Sequence, residues 1–210
     1  MKKRLLIYGA GGLGKEVLAL VNSTDSFEVI GFIDDGIKRD SSIKGIKVLG
    51  GREVLDSLDT STDLVIALGD PVSKSKVLTG IKNSHINFPI LRHPSVILQD
   101  PSAIEVGSGS IFCAGTILTT DIKIGSHVLI NLNCTIGHGV TIGNNSSLMP
   151  GVNVAGEVSI GPSVLIGSGV NILNRVSIGA NCIVGMGSVV IRDVAPDMTI
   201  AGVPAKSIRR

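Results

Sequence analysis

The chain has 210 residues and a net charge of +2, a balance that argues neither for nor against a charged partner. Hydrophobic residues make up 43% and aromatics only 2%, with no Trp; cores usually draw on large rings, so this one must be packed from Ile, Val, Leu and small residues. No apolar run is long enough to cross a bilayer, which excludes membrane insertion by a helix.

Residues 4–8 (Arg-Leu-Leu-Ile-Tyr) read as a short buried strand. Gly9-Ala10-Gly11-Gly12-Leu13-Gly14 follows, and then a helical stretch through about Asn22. This glycine-broken segment, ending in Lys15-Glu16, does not read as a signal peptide. A second strand, Phe27 to Ile33, ends in Asp34-Asp35. A third, Asp63 to Leu68, ends in Gly69-Asp70, and Pro71 opens another helix. Together these make a βαβ start with GxGxxG and an acidic residue about 20 positions on, the dinucleotide fingerprint. Its glycines, however, serve any phosphate approached by a helix N-terminus. About 95 residues precede the repeats described next, which is short for two mononucleotide-binding halves. No second GxG segment or hydride-transfer site follows, so NAD is the weaker reading. For Asp34 the plain alternative to a ligand contact is the capping of its own strand-end turn.

Every sixth residue from Val106 through Phe112, Leu118, Ile124 and Ile130 to Val184 and Val190 is apolar. Gly follows the apolar residue at positions 107, 125, 137, 143, 161, 167, 179 and 185, and a small or β-branched residue stands two places before it. The period fits neither a helix nor an alternating strand; it fits a parallel β-helix. One large residue per hexad is expected to point inward, the glycine beside it to turn with positive φ, and the small residue to fill the corner. Fifteen such hexads make about five coils, roughly 24 Å of prism at the inter-strand spacing. Cys134 and Cys182 fall on the small-residue position and read as core. With no CxxC, the three cysteines indicate neither a disulfide framework nor a metal site, and a cytoplasmic location is expected. Between residues 104 and 191 only Glu105, Asp121, Lys123, Glu157 and Arg175 are charged. Faces so lightly charged suggest contacts between copies.

With GAGGLGKEV near the start, IGFIDD after it, LRHPSVI at the junction and AGVPAK at the end, the whole chain resembles one family of bacterial sugar acetyltransferases. It includes sialic acid O-acetyltransferases and N-acetyltransferases of UDP-linked 4-amino sugars, which act in surface-glycan synthesis. The resemblance implies an α/β Rossmann-like domain (1–95) that holds the nucleotide end of the substrate. It implies a left-handed parallel β-helix (96–210) with three hexads per turn, and a homotrimer with active sites between neighbouring prisms. The co-substrate is acetyl-CoA, and a thioester needs no metal to react.

Of four histidines, His85 precedes the coil, His93 sits in a His-Pro turn and His127 follows Gly125-Ser126 on a coil turn. His138 follows an inward Ile-Gly pair, where its ring should project outward. The family's general base lies in the segment matching His138, and imidazole suits that task because it titrates near neutral pH. Gly156 matches the family's backbone N–H donor to the oxyanion. Ser147, Ser168 and Met186 match positions lining the acetyl-CoA groove, and Gly11, Gly12, Leu13, Asp34, Asp35 and Gly69 match nucleotide-sugar contacts. Lys206, Arg209 and Arg210 could face the CoA phosphates or form a solvated tail.

Three departures stand out. Family members often carry Asp or Glu directly after the histidine, and this chain has Gly139 there, so another group must orient the ring, with Asn131 the candidate. A histidine of the family's Gly-rich loop is replaced by Leu13, and one near acetyl-CoA by Ser147. Two other classes stay open: an NAD-linked oxidoreductase using the coil as an oligomerisation spine, and a non-catalytic sugar-binding trimer.

Overall fold

The computed structural model describes residues 2–208 and divides between Pro94 and Ser95 into two compact units. In the first unit, β1 (Lys3–Tyr8), β2 (Phe27–Ile33), β3 (Ser42–Ile43), β4 (Ile46–Gly50), β5 (Thr62–Ile66) and β6 (Ile86–Asn87) form one sheet in the order β3-β4-β2-β1-β5-β6. Its pairings are parallel except within the β3–β4 hairpin. Leu5, Leu6, Ile7 and Tyr8 are all buried, as a continuous apolar run in a central parallel strand requires. Helix α1 (Gly12–Asn22) buries Val17, Leu18, Leu20 and Val21 on one face. A short α2 (Glu53–Asp56) and α3 (Pro71–Gly80) complete the unit. Asp70 caps α3 by accepting the Ser73 N–H at 2.8 Å, and Pro71 occupies the first turn, where its missing N–H costs nothing.

The expected strands and helices are present, although β5 stops at Ile66 and not Leu68. The β3–β4 hairpin and α2 were not foreseen. Their elements are too short to show a period, and the available signal was local: Lys44 and Gly45 both take positive φ, as a two-residue hairpin loop demands.

The second unit advances 18 residues per turn. Ile111 pairs with Leu129, Leu129 with Ser147, Ser147 with Leu165 and Leu165 with Ile183. A second face runs with the same step from Ile117 through Thr135, Asn153 and Asn171 to Val189. A third runs from Lys123 through Thr141 and Ser159 to Ser177. The coil extends beyond the hexad pattern at both ends. Ile97–Leu98 joins the second face, and Thr199–Gly202 joins the first before pairing antiparallel with Ala205–Ser207. The inward residues from Phe112 to Val190 are buried in one continuous core, with Val106 packed at its edge. The small residues two places before them, Ser110, Thr116, Cys134, Ser146 and Cys182 among them, are fully buried at the corners.

The role expected of the repeat glycines needs correction. None of Gly107, Gly125, Gly137, Gly143, Gly161, Gly167, Gly179 or Gly185 has positive φ; the left-handed residue comes two places later in the hexad. That position takes Gly109, Gly115, Gly139, Gly151, Gly169 and Gly187, but also Asp121, His127, Asn133, Asn145, Glu157, Ser163, Arg175 and Asn181. The glycine beside the inward residue is demanded by close approach instead. A Cβ on Gly143 would stand 2.5 Å from the Pro162 nitrogen, and one on Gly137 2.7 Å from the Gly156 nitrogen. The backbone of the next coil fills the space a side chain would need.

Candidate active site

Beside the buried small residue, each corner also turns residues outward, and His138 sits exposed at the corner between the second and third faces. Its carbonyl accepts the N–H of Glu157, one coil on, at 2.7 Å. Its ring lies over Gly156: a methyl group there would collide with Nε2 and stand 2.6 Å from Cε1. Gly137 admits the Gly156 backbone from one side, and Gly139 leaves the adjoining space open. Into that space comes Glu157, whose Cγ is 3.4 Å from where a residue-139 Cβ would be. Arg175, one further coil along, holds Glu157 through Nε at 2.8 Å and Nη2 at 3.4 Å. Arg175 first, by hydrogen bond and charge, and then the charge of His138 keep the Glu157 carboxyl below its ordinary range.

The structure therefore brings His138 and Gly156 together and sets Asn131 apart. Asn131 lies at the preceding corner, nearly buried, and its Oδ1 accepts the Leu132 N–H at 2.7 Å. The same corner carries Ser168 and Met186, stacked 18 residues apart, with the Gly187 N–H donating to the Ser168 carbonyl at 2.8 Å. Met186 is 76% exposed. Ser147 lies on the first face and is fully buried. His138 with Gly156, and Ser168 with Met186, thus occupy different edges of one prism. The His127 ring packs against Gly109 at the third corner, where a Gly109 Cβ would meet Cε1 at 2.5 Å. Lys206 lies in the closing antiparallel strand, and Arg209 and Arg210 lie outside the described residues.

In the first unit, the carboxyl ends of the strands form a cleft of about 280 Å³ lined by Tyr8, Asp34, Asp35, Arg52, Ser73 and Lys76 among others. Gly9, at φ +100, and Gly14 are required by packing: a Cβ would meet the Ala67 oxygen at 2.8 Å in one case and the Gly9 carbonyl in the other. Gly11 and Gly12 differ, since a Cβ on either would meet nothing within 4 Å. They leave the start of α1 open to an anion, with Leu13 half-buried behind them. Asp34 is occupied locally: Oδ2 accepts the Ala10 N–H at 2.8 Å, and Oδ1 accepts those of Gly36 at 2.9 Å and Ile37 at 3.1 Å. Its carboxylate closes the glycine loop and the strand-end turn, where a dinucleotide site would spend it on a ribose.

Asp35 accepts the Tyr8 hydroxyl at 2.5 Å and the Arg52 N–H at 2.8 Å. Burial raises its affinity for a proton, but the Tyr8 bond, the Arg52 N–H and the charges of Arg52 and Lys76 outweigh that and hold the carboxyl low. Burial, and then the bond to Asp35, push the Tyr8 hydroxyl up. Gly69 lies in the loop between β5 and α3. Arg52, Ser73 and Lys76, absent from the sequence reading, supply donors and positive charge beside the two aspartates. Only tertiary convergence gathers them, so no spacing announced them. Among the described residues no cluster of His, Cys, Asp and Glu stands ready to hold a metal ion.

Comparison with known proteins follows the division into two units. The family described as PglD N-terminal domain matches residues 4–81. The hexapeptide repeat of succinyl-transferase matches residues 121–154, and the bacterial transferase hexapeptide (six repeats) matches residues 157–192. No curated protein sequence matches the chain. Among solved structures, PerB from Caulobacter crescentus, determined with CoA and GDP-perosamine, is 29% identical with a TM-score of 0.90, covering 98% of this chain and 97% of that one. WeeI from Acinetobacter baumannii is 29% identical with a TM-score of 0.87, covering 99% and 100%. The acetyltransferase domain of PglB from Neisseria gonorrhoeae, determined with acetyl coenzyme A, is 25% identical with a TM-score of 0.89 and the same coverage. The coil is the left-handed hexapeptide type, behind a Rossmann-like domain.

Proposed function

We propose that this chain, which belongs to the hexapeptide-repeat sugar acetyltransferases with a PglD-type N-terminal domain, transfers acetyl from acetyl-CoA to the amine of a nucleotide-linked amino sugar, with His138 as the general base. The observation that supports this reading is the placement of His138, an imidazole at a corner of an uninterrupted coil with its ring over the Gly156 backbone. His138 takes a proton from the acceptor nitrogen as that nitrogen attacks the thioester carbonyl. The Gly156 N–H donates to the oxyanion of the tetrahedral intermediate. The C–S bond then breaks, and the departing thiolate takes up the proton held by His138, giving free CoA and the N-acetyl sugar.

The nucleotide binds the first unit, with its phosphates at Gly11 and Gly12 and its remainder in the cleft of Asp35, Arg52, Ser73 and Lys76. Acetyl-CoA runs past Ser168 and Met186. Because these two lie on a different edge from His138, a complete site needs two copies, His138 and Gly156 coming from one and Ser168 and Met186 from its neighbour. Exposed Leu132 and Met186 on one edge, with Leu173 and Ile191 elsewhere on the prism, supply apolar surface for that contact. The assembly is a homotrimer working in the cytoplasm, where acetyl-CoA and nucleotide sugars are found, and it contributes to surface-glycan synthesis.

Release of free thiol from acetyl-CoA with GDP-perosamine, or another nucleotide-linked 4-amino sugar, tests the reading. His138→Ala should lower kcat/KM by about 10² to 10⁴-fold with the fold intact. Transfer at the parental rate by that variant would sink the proposed mechanism. Sedimentation should give about three times the 21.7 kDa chain mass.

A further inference from the structure

The left-handed position after His138 is filled by Gly139 (φ +68), which has no side chain to offer the imidazole. The column continues at 18-residue steps with Asp121 below, and with Glu157 and Arg175 above. Glu157 borders the space a side chain at 139 would take: its Cγ is 3.4 Å from an ideal Cβ there, an ordinary contact distance, and its main-chain N–H binds the His138 carbonyl at 2.7 Å. Both its carboxylate oxygens are tied to Arg175, so the negative charge is fixed in place next to the histidine's corner.

We infer that Glu157 is a positioning residue for His138, a carboxylate supplied from the next coil that stabilises the imidazolium formed when the ring takes the acceptor's proton. The inference rests on the reading of His138 as base. Glu157 touches neither substrate, and its effect is carried by charge: a negative group within reach favours the cationic ring, and Arg175 keeps that group from swinging away. Asp121 continues the column below Gly139. Past Arg175 the step shortens, with Val194 bridging Ile178 and the Ser177 N–H binding Asp193 at 2.8 Å, so the column ends at Arg175. Asp121 and Glu157 are thus the carboxylates one coil below and above this corner, and the His138 ring lies over Gly156, on the Glu157 side. Because the pair is open to water, the coupling is screened by salt.

The experiment relocates the charge. Glu157→Gln should lower kcat by about tenfold, the lower end of what losing an orienting partner costs, with the KM for acetyl-CoA and the melting temperature unchanged. The double variant Glu157→Ala with Gly139→Asp returns a carboxylate to the corner from the other side. Aspartate accepts the left-handed backbone, as Asp121 (φ 55) and Asp197 (φ 63) do in this chain, and the double variant should regain most of the lost kcat. Raising ionic strength to about 0.5 M should slow the parent and leave Glu157→Gln unaffected. Parental kcat in Glu157→Gln would overturn the inference. So would a loss shared with KM and melting temperature, or one that the relocated carboxylate does not repair. Failure of the underlying reading looks different, because His138→Ala would then keep its activity whatever stands at 157.

Discussion

In the coil, residue i meets residue i+18, so the surroundings of Gly143, Ile142 and His138 follow from one rule applied down a column. In the N-terminal sheet, Asp35 binds the Tyr8 hydroxyl and the Arg52 N–H, three residues from three segments with no shared spacing. The contrast decides where chemistry can reside. A coil spends its inward and corner-core positions on packing, so reactive groups are confined to the outer corners and the outward strand positions, where the rule leaves residue type free. The sheet places its polar groups where strands end and loops converge, each held by a bond of its own. The coil therefore offers a few side chains on a rigid frame, and the first unit offers a cleft of many donors, which suits a small reacting centre on one and a large polar ligand on the other.

The sharpest way to break this comparison is to violate the coil's rule at a position of close approach. Gly143→Ala puts a methyl 2.5 Å from the Pro162 nitrogen, and the clash is with backbone that cannot rotate away. Overpacking of this kind should cost about 3 kcal/mol or more, read as a fall in melting temperature. A wild-type melt would show that the coils separate more easily than their packing indicates. Gly156→Ala tests the same frame at the reacting centre. Its methyl would displace the His138 ring, and a misplacement of about 1 Å costs on the order of 100-fold in rate. Here the melt should change little while kcat falls, because the group that moves is a side chain at the corner.

The unequal legibility of the two units has the same origin. The coil was readable because fifteen equivalent positions carry the same requirement, and one glance down the columns from Phe112 to Val190 tests it. The function of its glycines was not, since positive φ and backbone contact both select glycine and only coordinates distinguish Gly139 from Gly137. The outward placing of His138 could be read from its place in the hexad, while its choice over His127 as the candidate base came from the family resemblance. Glu157 could not, because an 18-residue step had first to be converted into adjacency. In the sheet, β1, α1, β2 and α3 were legible from apolar runs, glycines and a proline. Arg52, Ser73 and Lys76 were not, because nothing in their spacing marks them as neighbours of Asp35. Asp34 had two readings from sequence, and its three backbone N–H bonds now account for its carboxylate.

The sheet unit has its own sensitive point in Lys74 on α3, which is 2% exposed. Burial drives its ammonium down to about 7, with Asp70 opposing the shift. The folded state then binds fewer protons than the unfolded chain between pH 7 and the ordinary lysine value of about 10.4, so stability rises with pH across that window. Below pH 7 the penalty of a buried charge is present in full. Lys74→Met should therefore raise the melting temperature at pH 6, and the gap from the parent should close toward pH 10. A gap that is constant with pH would show that Lys74 stays charged when buried. In the coil, by contrast, the charged pair Lys123 and Glu105 meets in the open at 3.6 Å.

The smallest expected effect gives the finest test of how the coil uses glycine. Gly169 is left-handed at φ +70, and a Cβ on it would meet nothing within 4 Å. The same hexad position holds Asn133, Asn145 and Asn181 elsewhere in the prism. Asparagine carries a small strain on this backbone that glycine does not, though less than most residues, while replacing glycine removes conformational freedom from the unfolded chain. The two effects oppose each other, so Gly169→Asn should shift stability by no more than about 0.5 kcal/mol. Two residues earlier, a Cβ on Gly167 would stand 2.6 Å from the Met186 nitrogen, and Gly167→Ala should behave like Gly143→Ala. If both substitutions at 167 and 169 were equally harmful, positive φ and close approach would be one constraint, and the coil would need its glycines for a reason other than the backbone of the next turn.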